Sequence, residues 1–186
     1  TDNDLSKAKR PLHTLPVGGL VTAQLPVLPE RSPGLVVFEA ESLRLQSPMQ
    51  SQDETAVASR TVIGVPLSGG RDLGAARCRF EVSTPGDYVI WVHVFAESSE
   101  SDSFYASIDR GPVSLSDVAL RGRWCWDQVR NRVDGKPGKE PSTFALSKGV
   151  HSLLIRNREC NTRIDAIVIV RRDLSYVPVQ TGPEVR

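Results

Sequence analysis

From residue 35 onward, apolar and polar residues alternate in short runs broken by Gly, Pro, Asn, Asp and Ser. That period of two, with frequent turn residues, is the texture of an antiparallel β-sandwich or barrel. The pattern predicts strands over 35–40, 61–66, 75–83, 88–96, 104–109, 151–158 and 163–171. Segments 126–132 and 143–146 flank a Gly/Pro/Lys-rich loop at 134–140. Within 88–96, Tyr88, Ile90, Val92 and Val94 alternate with Val89, Trp91, His93 and Phe95. Both faces of that strand are apolar, which places it at the centre of a sheet covered on each side. Trp91 and His93 then form a rim or floor. Helical periodicity is nearly absent, and one or two turns between Gly111 and Leu120 are the single candidate.

Residues 1–34 lack either period and carry Pro11, Pro16, Pro26, Pro29 and Pro33 beside Gly18 and Gly19. They read as an extended arm or linker, followed by a sandwich domain over 35–174 and a tail over 175–186 with Pro178 and Pro183. A chain of 186 residues suffices for one such domain. Lys and Arg number 23 against 22 Asp and Glu, a net +1, so no global field favours nucleic acid or an anionic membrane. No apolar run approaches the roughly 18 residues of a spanning helix. The polar start, Thr-Asp-Asn-Asp-Leu, is how a mature product would begin once a leader is removed.

Three acids stand in apolar surroundings. Glu39 and Glu41 share parity in the first strand, so both carboxylates are expected on one face. Asp165 interrupts Arg163-Ile164-Asp165-Ala166-Ile167-Val168, where an unpaired carboxylate would be costly. If the first and last strands are neighbours, the three acids can converge on a hard cation such as Ca²⁺; alternatively Glu39 and Glu41 are solvated or paired with Arg60, Arg163 or Arg171.

Trp124 and Trp126 share parity across Cys125. An exposed Trp near Arg158, Glu159 and Asn161 has the ingredients of a sugar site, a flat ring with charged and amide partners for hydroxyls. The other reading makes both indoles core plugs. Cys78 alternates with Phe80 and Val82 as a small buried hydrophobe. Cys125 and Cys160 lie in loop-like sequence, and either a disulfide joins them or both are free. No metal spacing of Cys and His occurs. His13, His93 and His151 are the only histidines, and no nucleophile elbow, P-loop or dinucleotide fingerprint is present, so a non-enzyme is expected.

Seven segments occur in a recognisable order: Val37-Phe38-Glu39-Ala40-Glu41, Ser68-Gly69-Gly70, Pro85-Gly86-Asp87-Tyr88-Val89-Ile90-Trp91, Asp102 to Asp109, Trp124-Cys125-Trp126, Lys148 to Leu153, and Arg158-Glu159 through Asp165. In this the chain resembles non-catalytic carbohydrate-binding modules of families 6 and 35. These are galactose-binding-like jelly rolls, two antiparallel sheets packed as an all-β sandwich. The resemblance implies an extracytoplasmic, secreted or periplasmic protein that binds polysaccharide, with a structural Ca²⁺ on Glu39, Glu41 and Asp165. It makes Trp124 the stacking platform, Arg158 and Glu159 its polar partners, and Tyr105 and Asn161 further contacts. Two departures fall near the ligand loops. Arg71 stands where relatives have an aromatic after Ser-Gly-Gly, and Cys160-Asn161 replace an Asp-Gly. Those departures and the Pro-rich arm support an alternative, an accessory subunit docking onto other proteins of an extracytoplasmic assembly through residues 1–34.

Overall fold

Two β-sheets pack face to face in the computed structural model, which describes residues 25–54 and 60–179. The strands are β1 (Val27–Leu28), β2 (Leu35–Glu39), β3 (Arg44–Gln46), β4 (Gln50–Glu54), β5 (Arg60–Gly64), β6 (Ala75–Val82) and β7 (Gly86–Phe95). They continue with β8 (Ser103–Ile108), β9 (Ser114–Asp117), β10 (Trp124–Gln128), β11 (Phe144–Leu146), β12 (Gly149–Asn157) and β13 (Arg163–Arg171). One sheet runs β1-β6-β12-β8-β9, with β3 also on β6. The other runs β10-β7-β13-β5-β4, with β11 on β7 and β2 on β13. The architecture is the expected all-β jelly-roll sandwich. All pairings are antiparallel among the described residues except β1 on β6.

Alternation dictates which side chains fill the sandwich. On β6, Ala76, Cys78, Phe80 and Val82 turn inward, as do Ile90, Val92 and Val94 on β7 and Leu153 and Ile155 on β12. β13 is apolar throughout because both of its faces are covered. Ile164, Ile167 and Ile169 enter the main core, while Ala166, Val168 and Val170 join Val89 and Trp126 in a second cluster on the outer face. Leu174 and Tyr176 of the following segment pack on that cluster. Ile164 and Ile167 are three apart, yet both face the core. The register shift between Ile164 and Ala166 resolves this, and Asp165 is the extra residue of the bulge.

The structure corrects several expectations. Segment 111–120 holds the strand β9 rather than a helix, because pairing with β8 overrides the weak local pattern. β10 begins at Trp124, not Trp126. β3 and β4 went unpredicted because Arg-Leu-Gln and Gln-Ser-Gln-Asp-Glu are mostly polar, as edge strands are. Glu39 and Glu41 do not share a strand face, since β2 ends at Glu39 and a 3-10 turn covers Ala40–Ser42. β1 lies inside the expected arm. The bulk of that arm, and the end of the tail, fall outside the described residues. Among the described residues no helix is long and apolar enough to cross a membrane.

Candidate functional site

The Arg158–Glu159 corner connects the end of β12 to the start of β8. Glu159 is 3 % exposed, and donors surround its carboxylate. Oε1 accepts from Arg71 at 2.7 Å and Arg158 at 2.5 Å, while Oε2 accepts from the Ser103 hydroxyl at 2.6 Å and the Asp102 amide at 3.2 Å. Burial pushes its pKa up, but Ser103, Asp102, Arg158 and Arg71 together hold it below the ordinary carboxylate value. Arg71 reaches this site because Leu67–Gly69 form a 3-10 turn and Gly70 takes a φ of 89° that suits glycine. The residue in the aromatic's expected place therefore serves as a counter-ion. Arg158 is spent on Glu159 and on Ser103 at 2.7 Å. The Glu159 carboxylate is thus braced from within the chain.

Tyr105 and Asn161 are likewise engaged. The Tyr105 hydroxyl donates to Asp72 at 3.1 Å, and the Arg156 guanidinium lies 4.8 Å above its ring. Asn161 takes the left-handed conformation, φ 67°, which asparagine tolerates, and its side-chain amide donates to Glu97 at 2.6 Å.

Trp124 belongs elsewhere. β10 pairs with β7 so that Trp124 lies opposite Phe95, Trp126 opposite His93 and Gln128 opposite Trp91. Cys125, between the indoles, points into the core. Both tryptophans therefore share the outer face of the second sheet, the parity read from the sequence. His93 lies between them, with ring centroids 5.2 Å from Trp124 and 5.1 Å from Trp126. Phe95 sits 5.7 Å from Trp124 and carries the Arg163 guanidinium 4.2 Å above its ring. Trp126 is buried, while Trp124, Trp91 and Phe95 are half-buried. The ring contacts of Trp124 thus lie on this face and not with Arg158, Glu159, Tyr105 or Asn161.

The same sheet carries buried donors without acceptors: Trp126 Nε1, Arg163 Nε and Gln52 Nε2. An unmet buried donor costs about 1–3 kcal/mol, so these three groups lower the stability of this edge of the sheet. Trp91, His93, Phe95, Arg163 and Gln52 were not among the predicted ligand contacts. Trp91 and His93 were legible as a rim, but the pairing that brings β4 and β13 beside them has no local signal.

The three acids meet in one corner, since Glu39 lies opposite Ala166 on β13. Asp165 is buried and accepts from His93 Nδ1 at 2.6 Å and Arg60 at 2.8 Å, both on Oδ2. Burial, then Asp165 and Glu41, push Glu39 up to about 7 against the pull of Arg60. The charge of this corner suits a cation. Its geometry does not assemble a cage: among the described residues no group of three His, Cys, Asp or Glu side chains is placed to hold a metal ion. Arg60 pairs with Asp165 and only pulls on Glu39, while Glu41 is exposed.

All three cysteines are free. Of the two alternatives for Cys125 and Cys160, the structure shows both thiols free, and Cys125 is not in a loop. It is the inward residue of β10, with its thiol 3.8 Å from the Leu120 carbonyl, whereas Cys160 lies in the turn after β12. Burial raises the Cys125 thiol and pushes Cys78 up to about 12.

No protein-family model and no curated protein sequence matches the chain. Solved structures share its fold. The chain is similar to the CBM6cm-2 module of Cellvibrio mixtus lichenase 5A, solved with cellotriose, at 18 % identity and a TM-score of 0.54, over 74 % of this chain and 98 % of that one. The C-terminal CBM6 of LamC from Zobellia galactanivorans gives 15 % identity and a TM-score of 0.53, over 74 % and 99 %. The Podospora anserina GH26-CBM35 β-(1,4)-mannanase gives 16 % and 0.56, over 79 % of this chain and 29 % of the enzyme's length. The fold is that of the CBM6 and CBM35 sandwiches, as the resemblance implied.

Proposed function

We propose that the protein is a non-catalytic carbohydrate-binding sandwich whose glycan lies on the outer face of the β10-β7-β13 sheet. The observation that carries this reading is Trp124, a half-buried indole held by His93 and Phe95 on that face. A pyranose has apolar C–H faces and an equatorial rim of hydroxyls, so a fixed ring suits it. The cellotriose bound by the Cellvibrio mixtus module supports the same class of ligand. In the Arg158–Glu159 corner the Glu159 carboxylate is already taken up by Arg71, Arg158, Ser103 and the Asp102 amide. We place the protein outside the cytoplasm, in a secreted or periplasmic setting, as befits a polysaccharide ligand.

A structural Ca²⁺ near Glu39, Glu41 and Asp165 is part of the proposal on charge alone, Arg60 being the cation now on Asp165. A second reading, an accessory subunit of an extracytoplasmic assembly, is favoured by the internal bracing of the Glu159 carboxylate and by the exposed Leu67, Leu73, Val177 and Val179. Glycan-array binding, run with Ca²⁺ and with chelator, separates the two. The carbohydrate reading predicts retention on at least one glycan and its loss in Trp124→Ala. No binding to any glycan would leave the accessory reading.

A further inference from the structure

The other sheet carries a different surface on its outer face. Because Ala76, Cys78, Phe80 and Val82 of β6 enter the core, Arg77 and Arg79 project outward. β3 places Arg44 directly opposite Arg77, and β12 places Arg156 opposite Ala75, on the same side. Three strands thus bring four arginines into a patch about 13 Å long and about 10 Å wide, from the strand rise and spacing.

These charges are not neutralised within the chain. Among the described residues no carboxylate pairs with Arg44, Arg77, Arg79 or Arg156, in contrast to the arginines beside the buried acids. Arg71 and Arg158 hold Glu159, Arg121 holds Asp102, Arg132 holds Asp117 and Arg163 holds Glu54. Arg156 meets only the Tyr105 ring, and Arg77 Nε is buried without an acceptor. The nearby acids form no ion pair with the four arginines, although Glu81 follows Arg79 on the same outward face of β6. Asp72 accepts from Tyr105, Asp109 from His151 and the Ser152 amide, and Glu81 lies exposed toward the far end of β6. Like charges directly opposite across strands are destabilising, so the Arg44–Arg77 pair works against the fold unless an anion lies over it.

We propose that this arginine face binds an acidic polysaccharide, its carboxylate or sulfate groups seated in the guanidinium forks of Arg44, Arg77, Arg79 and Arg156. Guanidinium suits both groups, since its planar donors meet two oxygens at once. The choice of a sugar polymer rests on the carbohydrate-binding reading above. The surface itself argues against single-stranded nucleic acid, because its aromatic ring, Tyr105, is capped by Arg156 and offers no face for a base.

The test is affinity electrophoresis of the full chain in gels of polygalacturonate, of dextran sulfate and of neutral dextran, with duplex DNA and phosphatidylserine vesicles as competitors. Wild type is retarded by a polyanion and not by dextran, and the retardation fades with added salt. The arm with the stronger retardation tells carboxylate from sulfate. Arg44→Gln/Arg79→Gln, with both side chains at the surface and an unchanged melting curve, weakens binding by about tenfold or more. Trp124→Ala leaves polyanion binding intact. Equal binding by wild type and the double variant, no binding to either polyanion, or preferential capture by DNA or vesicles would overturn the proposal. Loss of polyanion binding alone, with neutral-glycan binding retained, would not touch the aromatic face.

Discussion

His93 and Asp165 meet at 2.6 Å in the outer face of the second sheet, each only 3 % exposed. A carboxylate accepts, so the imidazole donates from Nδ1, and the ring is thereby fixed between Trp124 and Trp126. The bulge at Asp165 makes this possible by turning the carboxylate out of the core phase of β13. The acid that interrupts an apolar strand therefore positions the aromatic face.

Removing that acid should be expensive. Asp165→Ala leaves His93 and Arg60 without their shared acceptor in a nearly closed site and costs about 3–5 kcal/mol. Urea denaturation reads the loss, and a cost below about 1 kcal/mol would mean that Asp165 does not hold the site together.

Glu39 gives the protein a pH-dependent stability. Its pKa is raised from 4.5 to about 7 on folding, so between those values the native state binds the extra proton. Stability from this group is therefore highest at the acid end and falls as pH rises through about 7. Melting curves in chelator should show wild type losing stability across that window relative to Glu39→Gln. Parallel pH profiles would remove the Glu39 contribution. Added Ca²⁺ should restore stability mainly above pH 7, where Glu39 is ionised; no restoration would remove the metal from the proposal.

The Glu159 brace has the opposite sign. Its pKa is held below the ordinary value, so its stabilisation is present above that value and is lost as pH falls through the lower, folded one. Glu159→Gln should cost about 1.5–3 kcal/mol and leave glycan affinity unchanged. Calorimetric titration with an array-selected glycan checks this, and lost affinity at unchanged stability would return the site to the corner.

Thiol titration in native buffer should find one reactive cysteine, Cys160, which is half-buried in a turn, while Cys78 and Cys125 react only after denaturation. Cys160→Ser should abolish the native reaction.

The strand skeleton was legible because burial imposes alternation. The central position of β7 followed from its two apolar faces, and the shared face of Trp124 and Trp126 followed from parity alone. The sequence resemblance also carried the fold. It did not show how the corner is held, because the Glu159 carboxylate is met by Arg71, a residue 88 positions away. Nothing near Glu159 announces that partner. Likewise, Glu39 and Glu41 looked cofacial only while the strand was assumed to run through both, and the turn at Ala40 has no proline or glycine to mark it. The neighbours of Trp124 were unreadable for a related reason. They come from β7, and the flanking donors from β13 and β4, brought together by pairings with no local trace.

The central claim is that a glycan lies on the Trp124 face. The most direct measurement is a ¹H–¹⁵N titration of the protein with an array-selected neutral oligosaccharide, following the indole signals of Trp91, Trp124 and Trp126 and the side-chain amide of Gln52. The account predicts saturable shifts concentrated on Trp124, Trp126 and Gln52, with the amides of Ser103 and Glu159 unmoved. Shifts confined to Ser103, Glu159 and Asn161, with the three indoles still, would contradict it.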